Sequence, residues 1–469
     1  MNTLMKRKIA LIGAALLLTV AAPLGAQQAD AGEALTLPSC IDYALTHNAS
    51  LQKDRLGLES AAESRREVVG SLLPQLNASG AFTRNIQKTT IAMPNFMNSM
   101  LPAAMQDPNA PKYMAVAMGM DLSANWGVSL TQQVLNFSLF TAVDIAKKAE
   151  TMAEMGAAMD EDDVIAQTAT LYYNAQVLAY GLDAFDESLD LMDRTLNMMT
   201  VNRDNGIVRQ VDVDRITVAR MNLVTEKQAM QQALDVQKSL LKLQMGFPMT
   251  DDITLTAVDL DALESLLMEE SLSGFDVTVQ PAFQMLRQQQ SMLQLQRKAA
   301  VAEVLPSLTL TANYSQNYMG DHFYGETYHH FPVSMVSLNM RMPLFTGMSK
   351  KAKIRKAGIE MEKSAEDERM LVQSLTMGYS NAMRQMMQNR ATIESQKRNR
   401  KLAEDVLAVT ESNYQEGISP LSDVLNATTS LIQAQMNYVN ALGNSMKAYI
   451  DLKKADGSIG EMKNENMKK

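Results

Sequence analysis

The chain has 469 residues with 43 basic and 52 acidic side chains, a formal net charge of -9, and one cysteine, Cys40. With no basic stripe interleaved with aromatics it argues against nucleic acid as a partner, and a lone cysteine excludes an internal disulfide or a multi-cysteine metal knuckle. Only 22 Gly, 13 Pro and 5% aromatics against abundant Ala, Met, Leu, Gln, Glu and Lys describe a mostly helical protein, built as about three ordinary domains or as one elongated body.

Residues 1–26 read as a secretory signal. Lys6-Arg7-Lys8 precedes an apolar run from Ile9 to Val20 and the small-residue stretch Ala21-Ala22-Pro23-Leu24-Gly25-Ala26, so the mature chain is expected to begin near Gln27. No later run of about 18 apolar residues exists, so no single helix there can cross a bilayer, which leaves secretion, the periplasm or an outer-membrane barrel. Cys40 lies well past the apolar run and reads as a small buried apolar residue rather than a lipid anchor.

Residues 48–74, NASLQKDRLGLESAAESRREVVGSLLP, align without a gap on residues 280–306, QPAFQMLRQQQSMLQLQRKAAVAEVLP. In the same order Leu76 falls on Leu308, Phe82 on Tyr314, VSL at 128–130 on VSL at 336–338, and Phe137 on Phe345. NGIVRQVDV at 205–213 then falls on EGISPLSDV at 416–424, which places Gly246 on Gly457. The chain is a duplicated unit, and each half reads helix, strand, strand, long helix, turn, shorter helix. The halves are 27–245 and 280–457, joined by a segment at 246–279 and followed by a polar tail at 458–469.

Strands are predicted at about 74–86 and 124–137, and again at about 306–318 and 334–346. Their period-two alternation marks sheets with unlike faces: Leu308, Leu310, Ala312 and Tyr314 oppose Ser307, Thr309, Thr311 and Asn313. Pro74, Pro306 and Pro343 mark the passages between helix and strand; the first half has Leu135 where the second has Pro343. About ten residues per strand suits a tilted span of hydrocarbon. Four strands cannot close a barrel, so subunits would have to share one, two giving eight strands or three giving twelve. A soluble sandwich alternates as well. Long helices are predicted over about 139–203 and 348–414, each about 100 Å long, with apolar residues at three- and four-residue spacing as in side-by-side packing. They lead to turns at Gly206 and Gly417, where glycine ends a helix by taking positive φ.

These segments resemble the TolC family of outer-membrane efflux proteins. The opening LPSCIDYALTHNASLQ, LLPQL and VLPSL before strands, the exit MPLFTG, and the turns NGIVRQVDV and EGISPLSDVLNATTSLIQAQ carry the similarity over nearly the whole mature chain. The resemblance implies a mostly α fold with a transmembrane β-barrel: a homotrimer with a twelve-stranded barrel in the outer membrane of a Gram-negative bacterium, a long periplasmic α-helical barrel, and a belt at its middle supplied by residues 246–280 and the end of the chain. It implies a passive conduit without cofactor or catalysis, taking small molecules from an inner-membrane pump through a periplasmic adaptor, the membrane fusion protein. A duct for protein secretion and a periplasmic helical scaffold are the alternatives.

The resemblance also assigns residues. Gly206, Ile207, Gly417 and Ile418 would form the periplasmic tip where the adaptor docks. Asp423 matches an aspartate lining the closed tip, and Asp212 matches an acid bonded to a tyrosine matched by Tyr414. Asn426 stands where a second acidic ring is expected, and Ser419 replaces the tip arginine. For each aspartate the helix dipole is a sufficient alternative reason. The Met-rich excursion over 93–120 reads as flexible apolar filler more readily than as a soft-metal path, and His329-His330 as surface loop. No nucleophile triad, phosphate loop or zinc-spaced ligand set is present, so an enzyme is not expected.

Overall fold

The structure, a computed structural model, describes residues 34–102, 105–269, 274–322 and 329–464, so the signal sequence read over 1–26 lies outside the described residues. Two helices open it. In α1 (Leu37–His47) the Thr36 hydroxyl accepts from the amide of Ser39, and Asn48 then caps α2 (Ala49–Gly70) by accepting from the amides of Ser50 and Leu51 at 2.8 and 3.2 Å. There follow strands β1 (Gln75–Arg84), β2 (Thr89–Pro94), β3 (Tyr113–Met118) and β4 (Leu122–Leu135), with a single-turn helix, α3 (Phe96–Ser99), between β2 and β3. Helix α4 (Phe137–Asp204) has 68 residues and returns as α5 (Gln210–Met245), after which α6 (Leu260–Glu269) lies in the joining segment. The second half repeats the order as α7 (Pro281–Ala302), β5 (Ser307–Gly320), β6 (His329–Arg341), α8 (Ser349–Gln415) and α9 (Leu421–Asp456).

The duplication is geometric as well as sequential. Helices α2 and α7 are both 22 residues long, and α5 and α9 both 36. Both α5 and α9 end on a left-handed glycine, Gly246 at φ 74° and Gly457 at φ 85°. In each half the residue before the 22-residue helix seals the end of the 36-residue one. The Asn48 side-chain amide donates to the Gln244 carbonyl at 2.7 Å, and the Gln280 side-chain amide donates to the Ala455 carbonyl at 3.1 Å. These bonds satisfy carbonyls that a helix end leaves without a partner.

The halves meet in one sheet of order β1-β4-β5-β6, antiparallel throughout. Strands β2 and β3 form a separate ribbon in the first excursion, an element absent from the sequence reading. Its β-prone residues, Thr89-Thr90-Ile91 against Val116-Ala117-Met118, were masked there by the Met-rich composition. His329 and His330 open β6 instead of lying in a loop, and His330 stacks on Tyr318 across the strand pair.

The core sits near the midpoints of the long helices. Cys40 and Ile41 of α1, Leu263 and Leu267 of α6, Met386 and Ile393 of α8, and Tyr438 and Leu442 of α9 pack into it. We call the material wrapped around this level the belt. The polar tail expected at 458–469 needs correction: Ile459–Asn464 is a 3-10 helix that places Ile459 and Met462 in the core, a gain in apolar burial that outweighs its polar composition. Among the described residues no helix is long and apolar enough to cross a membrane.

Candidate functional site

Two regions have geometry that a folded core does not explain: the hairpin tips and the sheet. At the first tip the Gly206 amide donates to the Arg203 carbonyl at 2.8 Å and the Ile207 amide to the Asn202 carbonyl at 2.8 Å. At the second, Gly417 donates to Tyr414 at 3.0 Å and Ile418 to Asn413 at 2.8 Å. Both are Schellman closures, and both glycines have φ 76°. Such a closure usually folds its following apolar residue back on the helix, yet Ile207 is 73% and Ile418 69% exposed. Met199, Val213, Ile216 and Leu421 form a small core that joins the two hairpins side by side.

Asp423 is exposed in the first turn of α9, where it accepts from the Ser422 hydroxyl at 3.3 Å. Asp212 is held instead, accepting from Arg209 at 3.1 Å and lying 3.5 Å from Arg215. The bond expected between Asp212 and Tyr414 does not form: the Tyr414 hydroxyl donates to the Met199 sulfur. Asp212 is taken up by the two arginines on its own helix start. It still acts on Tyr414 at a distance, because burial first and the Asp212 charge second push the phenol's pKa up. The long arms above the tip are tied by ion pairs that sequence spacing did not reveal, Arg220 to Asp193 and Lys227 to Asp186 across α4 and α5.

The sheet has unlike faces over β1, β4, β5 and residues 336–341 of β6, whereas further along β6 Met335, Val333 and Phe331 fall on the polar face opposite Asn313, Ser315 and Asn317. Leu76 opposes Leu130, Ala78 opposes Val128 and Gly80 opposes Trp126; Val128 in turn opposes Tyr314, Ala312 opposes Val336, and Leu310 opposes Leu338. The other face carries Asn77, Ser129 and Asn313 in one row and Gln75, Thr131, Thr311 and Ser337 in the next. Thr311 and Ser337 share a hydrogen bond of 2.6 Å there. The apolar face is open to solvent: Leu76 is 70%, Val336 74% and Met340 71% exposed. A water-soluble sheet would bury that face. The outer edges of β1 and β6 have no strand partner among the described residues.

Pro74 and Pro306 each stand immediately before a strand, and Pro343 two residues beyond β6. In the first half, where proline is missing, Asn136 makes the bend alone by accepting from the Leu139 amide at 3.1 Å, and α4 starts at once. The second half takes a loop instead, with Gly347 and Met348 at φ 58° and 65°.

Two further networks escaped the sequence reading. In the belt, Glu264 of α6 accepts from the Tyr438 hydroxyl at 2.6 Å and from Lys397 at 2.5 Å, while Arg400 lies 4.5 Å over the Tyr438 ring and donates to Tyr180 at 2.6 Å. Burial disfavours the Glu264 charge, but these donors and cations prevail and its pKa is lowered. Beside the sheet, Lys88 bridges Asp121 and Asp321 at 3.2 and 3.1 Å. No group of His, Cys, Asp or Glu able to hold a metal occurs among the described residues.

Residues 279–458 match the family described as Outer membrane efflux protein. The outer membrane protein TolC of Escherichia coli K12 is 22% identical over 446 residues, covering 92% of this chain and 83% of that one. The crystal structure of the outer membrane protein VceC from Vibrio cholerae is similar with TM-score 0.65 and 18% identity, over 90% of this chain and 96% of that one. The CmeC outer membrane channel of Campylobacter jejuni gives TM-score 0.68 and 16% identity, over 90% and 85%. The MtrE outer membrane channel of Neisseria gonorrhoeae, solved in an open state, gives 0.67 and 18%, over 90% and 88%.

Proposed function

We propose, from the premise that this chain is an outer membrane efflux protein of the TolC type, that it is the outer-membrane channel of a tripartite efflux system and assembles as a homotrimer. The single observation that carries this reading is the sheet. Its apolar face is open, its polar face is turned the other way, and β1 and β6 leave their outer edges unpaired. Lipid offers no partner for a backbone amide, so such a sheet is stable in a bilayer only if copies join β6 to β1 and close. Three copies give a twelve-stranded barrel with a mainly apolar exterior and a lumen lined chiefly by Asn, Gln, Ser and Thr, with Phe331, Val333 and Met335 of β6 on the same side.

Below it, the long helices continue the wall as a periplasmic tube. The exposed Ile207 and Ile418 at the tip support docking of a periplasmic adaptor, which would bring an inner-membrane pump into line. Asp423, exposed on one protomer, would face its copies around the threefold axis and form a negative ring at the closed tip. The duct performs no chemistry; it holds cargo away from the periplasm while the pump supplies direction. Mass measurement in mild detergent tests the assembly, with three chains per particle expected. A monodisperse monomer that retains its sheet would overturn the shared barrel.

A further inference from the structure

Helix α8 begins with Lys350, Lys351, Lys353, Arg355 and Lys356 and has no acidic residue in its first turn. A helix start carries partial positive charge of its own, so cations there are unfavourable unless something negative meets them. Glu303 meets two, accepting from both Lys350 and Lys353. Lys351 and Arg355 instead line a groove of about 730 Å³ between α7 and α8, together with Arg297, Ile354, Met361 and Glu362. Glu362 lies 3.5 Å from Arg355, while Arg297 and Lys351 have no ion-pair partner among the described residues. Three cations against one carboxylate leave two positive charges on a mainly apolar floor.

Strand β6 ends at Arg341 and α8 starts at Ser349, so Lys351 lies in the first turn below the sheet. The loop between them exposes Leu344 by 89% and Phe345 by 82%. Helices packed side by side supercoil left-handedly, and a seven-residue step along α8 then keeps to one flank. From Lys351 that step passes Gly358 and Ala365, both in the groove, and reaches Tyr379, Met386 and Ile393. Tyr379 stacks on Phe275 at 4.7 Å, and Met386 and Ile393 are buried in the belt core. Groove and belt share a flank. A belt cannot occupy the lumen of a conducting duct, so on the channel reading above, on which this step rests, the flank is external.

We propose that this groove binds the anionic headgroup of a glycerophospholipid of the periplasmic leaflet, its phosphate between Arg297 and Lys351 and its acyl chains beside Leu344 and Phe345. Guanidinium and ammonium donors suit phosphate oxygens, and a cation at a membrane surface strengthens anionic-lipid binding about fivefold. The apolar loop then anchors the barrel at the depth where hydrocarbon ends.

Native mass spectrometry of the full-length protein in mild detergent, with added phosphatidylglycerol or phosphatidylcholine, tests this. Wild type is expected to retain phosphatidylglycerol preferentially, Arg297→Gln and Lys351→Gln to weaken retention about fivefold each, and Lys356→Gln, which removes the same charge outside the groove, to leave it unchanged. Equal retention of both lipids, equal loss in Lys356→Gln, or no loss in the double variant would overturn the proposal. One other occupant is read separately. Inorganic phosphate that displaces the lipid as well as phosphatidylglycerol does would make this a free-anion site and overturn the lipid assignment. The same spectra report subunit number, so failure of the channel reading appears as a wrong mass and not as lost lipid.

Discussion

Four glycines with positive φ end four helices, yet they differ in what a side chain would meet. Around Gly206 and Gly417 nothing lies within 4 Å, whereas a Cβ on Gly246 would sit 2.5 Å from the His47 carbonyl oxygen. Valine at either tip is therefore expected to cost only the backbone term, about 1–2 kcal/mol, and to impair export with barrel assembly intact. Gly246→Ala adds a clash with backbone that cannot move without α1, and should lower the melting temperature of the assembled protein more than Gly206→Ala does. Thermal unfolding of the two variants side by side decides it. Cys40 supplies a second residue-scale test. Burial pushes its thiol pKa up to about 12, and the thiolate is the reactive form, so iodoacetamide at pH 8 should label it only after denaturation. Labelling of the native protein at the unfolded rate would contradict the packing of α1 into the belt. At the tip, Asp423→Asn should lower cation over anion preference in bilayer conductance by about twofold or less, since salt screens exposed carboxylates over roughly 8 Å. An unchanged reversal potential would take Asp423 out of the ion path.

At the scale of elements, the belt is held by Glu264, which joins α6 to α8 and α9 through Lys397 and Tyr438. Its folded pKa is lowered from 4.5, although burial alone would raise it, because the two donors and the Arg400 charge favour the carboxylate. A depressed carboxylate contributes stability that is present above its unfolded pKa and lost as pH falls through the folded value. The belt should accordingly loosen below about pH 4.5, read as hydrogen exchange in α6, and Glu264→Gln should weaken protection at neutral pH while flattening that acid dependence. Equal acid dependence in both proteins would assign the loosening to other carboxylates. The two helix-strand bends also act at this scale: Asn136 caps α4 directly, so Asn136→Ala should cost about 1 kcal/mol and disturb the first half only.

For the whole molecule, the faces of the sheet make a paired prediction. Val336→Arg places a charge on the open apolar face and should cost about 2–4 kcal/mol if it lies at mid-bilayer, seen as loss of membrane-inserted assembly. Ser337→Arg, one residue on, points to the polar face and should assemble normally while altering conductance. The reverse pattern, with Ser337→Arg blocking assembly, would turn the sheet inside out.

The duplication, the alternating strands and the long helices were legible in the sequence because each depends on short-range periodicity: a gapless 27-residue match, a period of two, and a period near 3.6. The tip glycines were legible for the same reason, since positive φ at a helix end is a local demand that few other residues meet. Relations between distant residues were not. Glu264 meets Tyr438 across 174 positions, and Tyr414 chooses the sulfur of Met199 because Arg209 and Arg215 have already engaged Asp212. Burial of Ile459 and Met462 was written in a polar stretch with no repeat to reveal it, and depends on a cavity that other segments build. The sequence by itself determined the elements and their faces, which follow from local backbone preference and side-chain pattern; only the tertiary structure decided which polar group each side chain would take, because that choice depends on which competing partners the fold brings within reach.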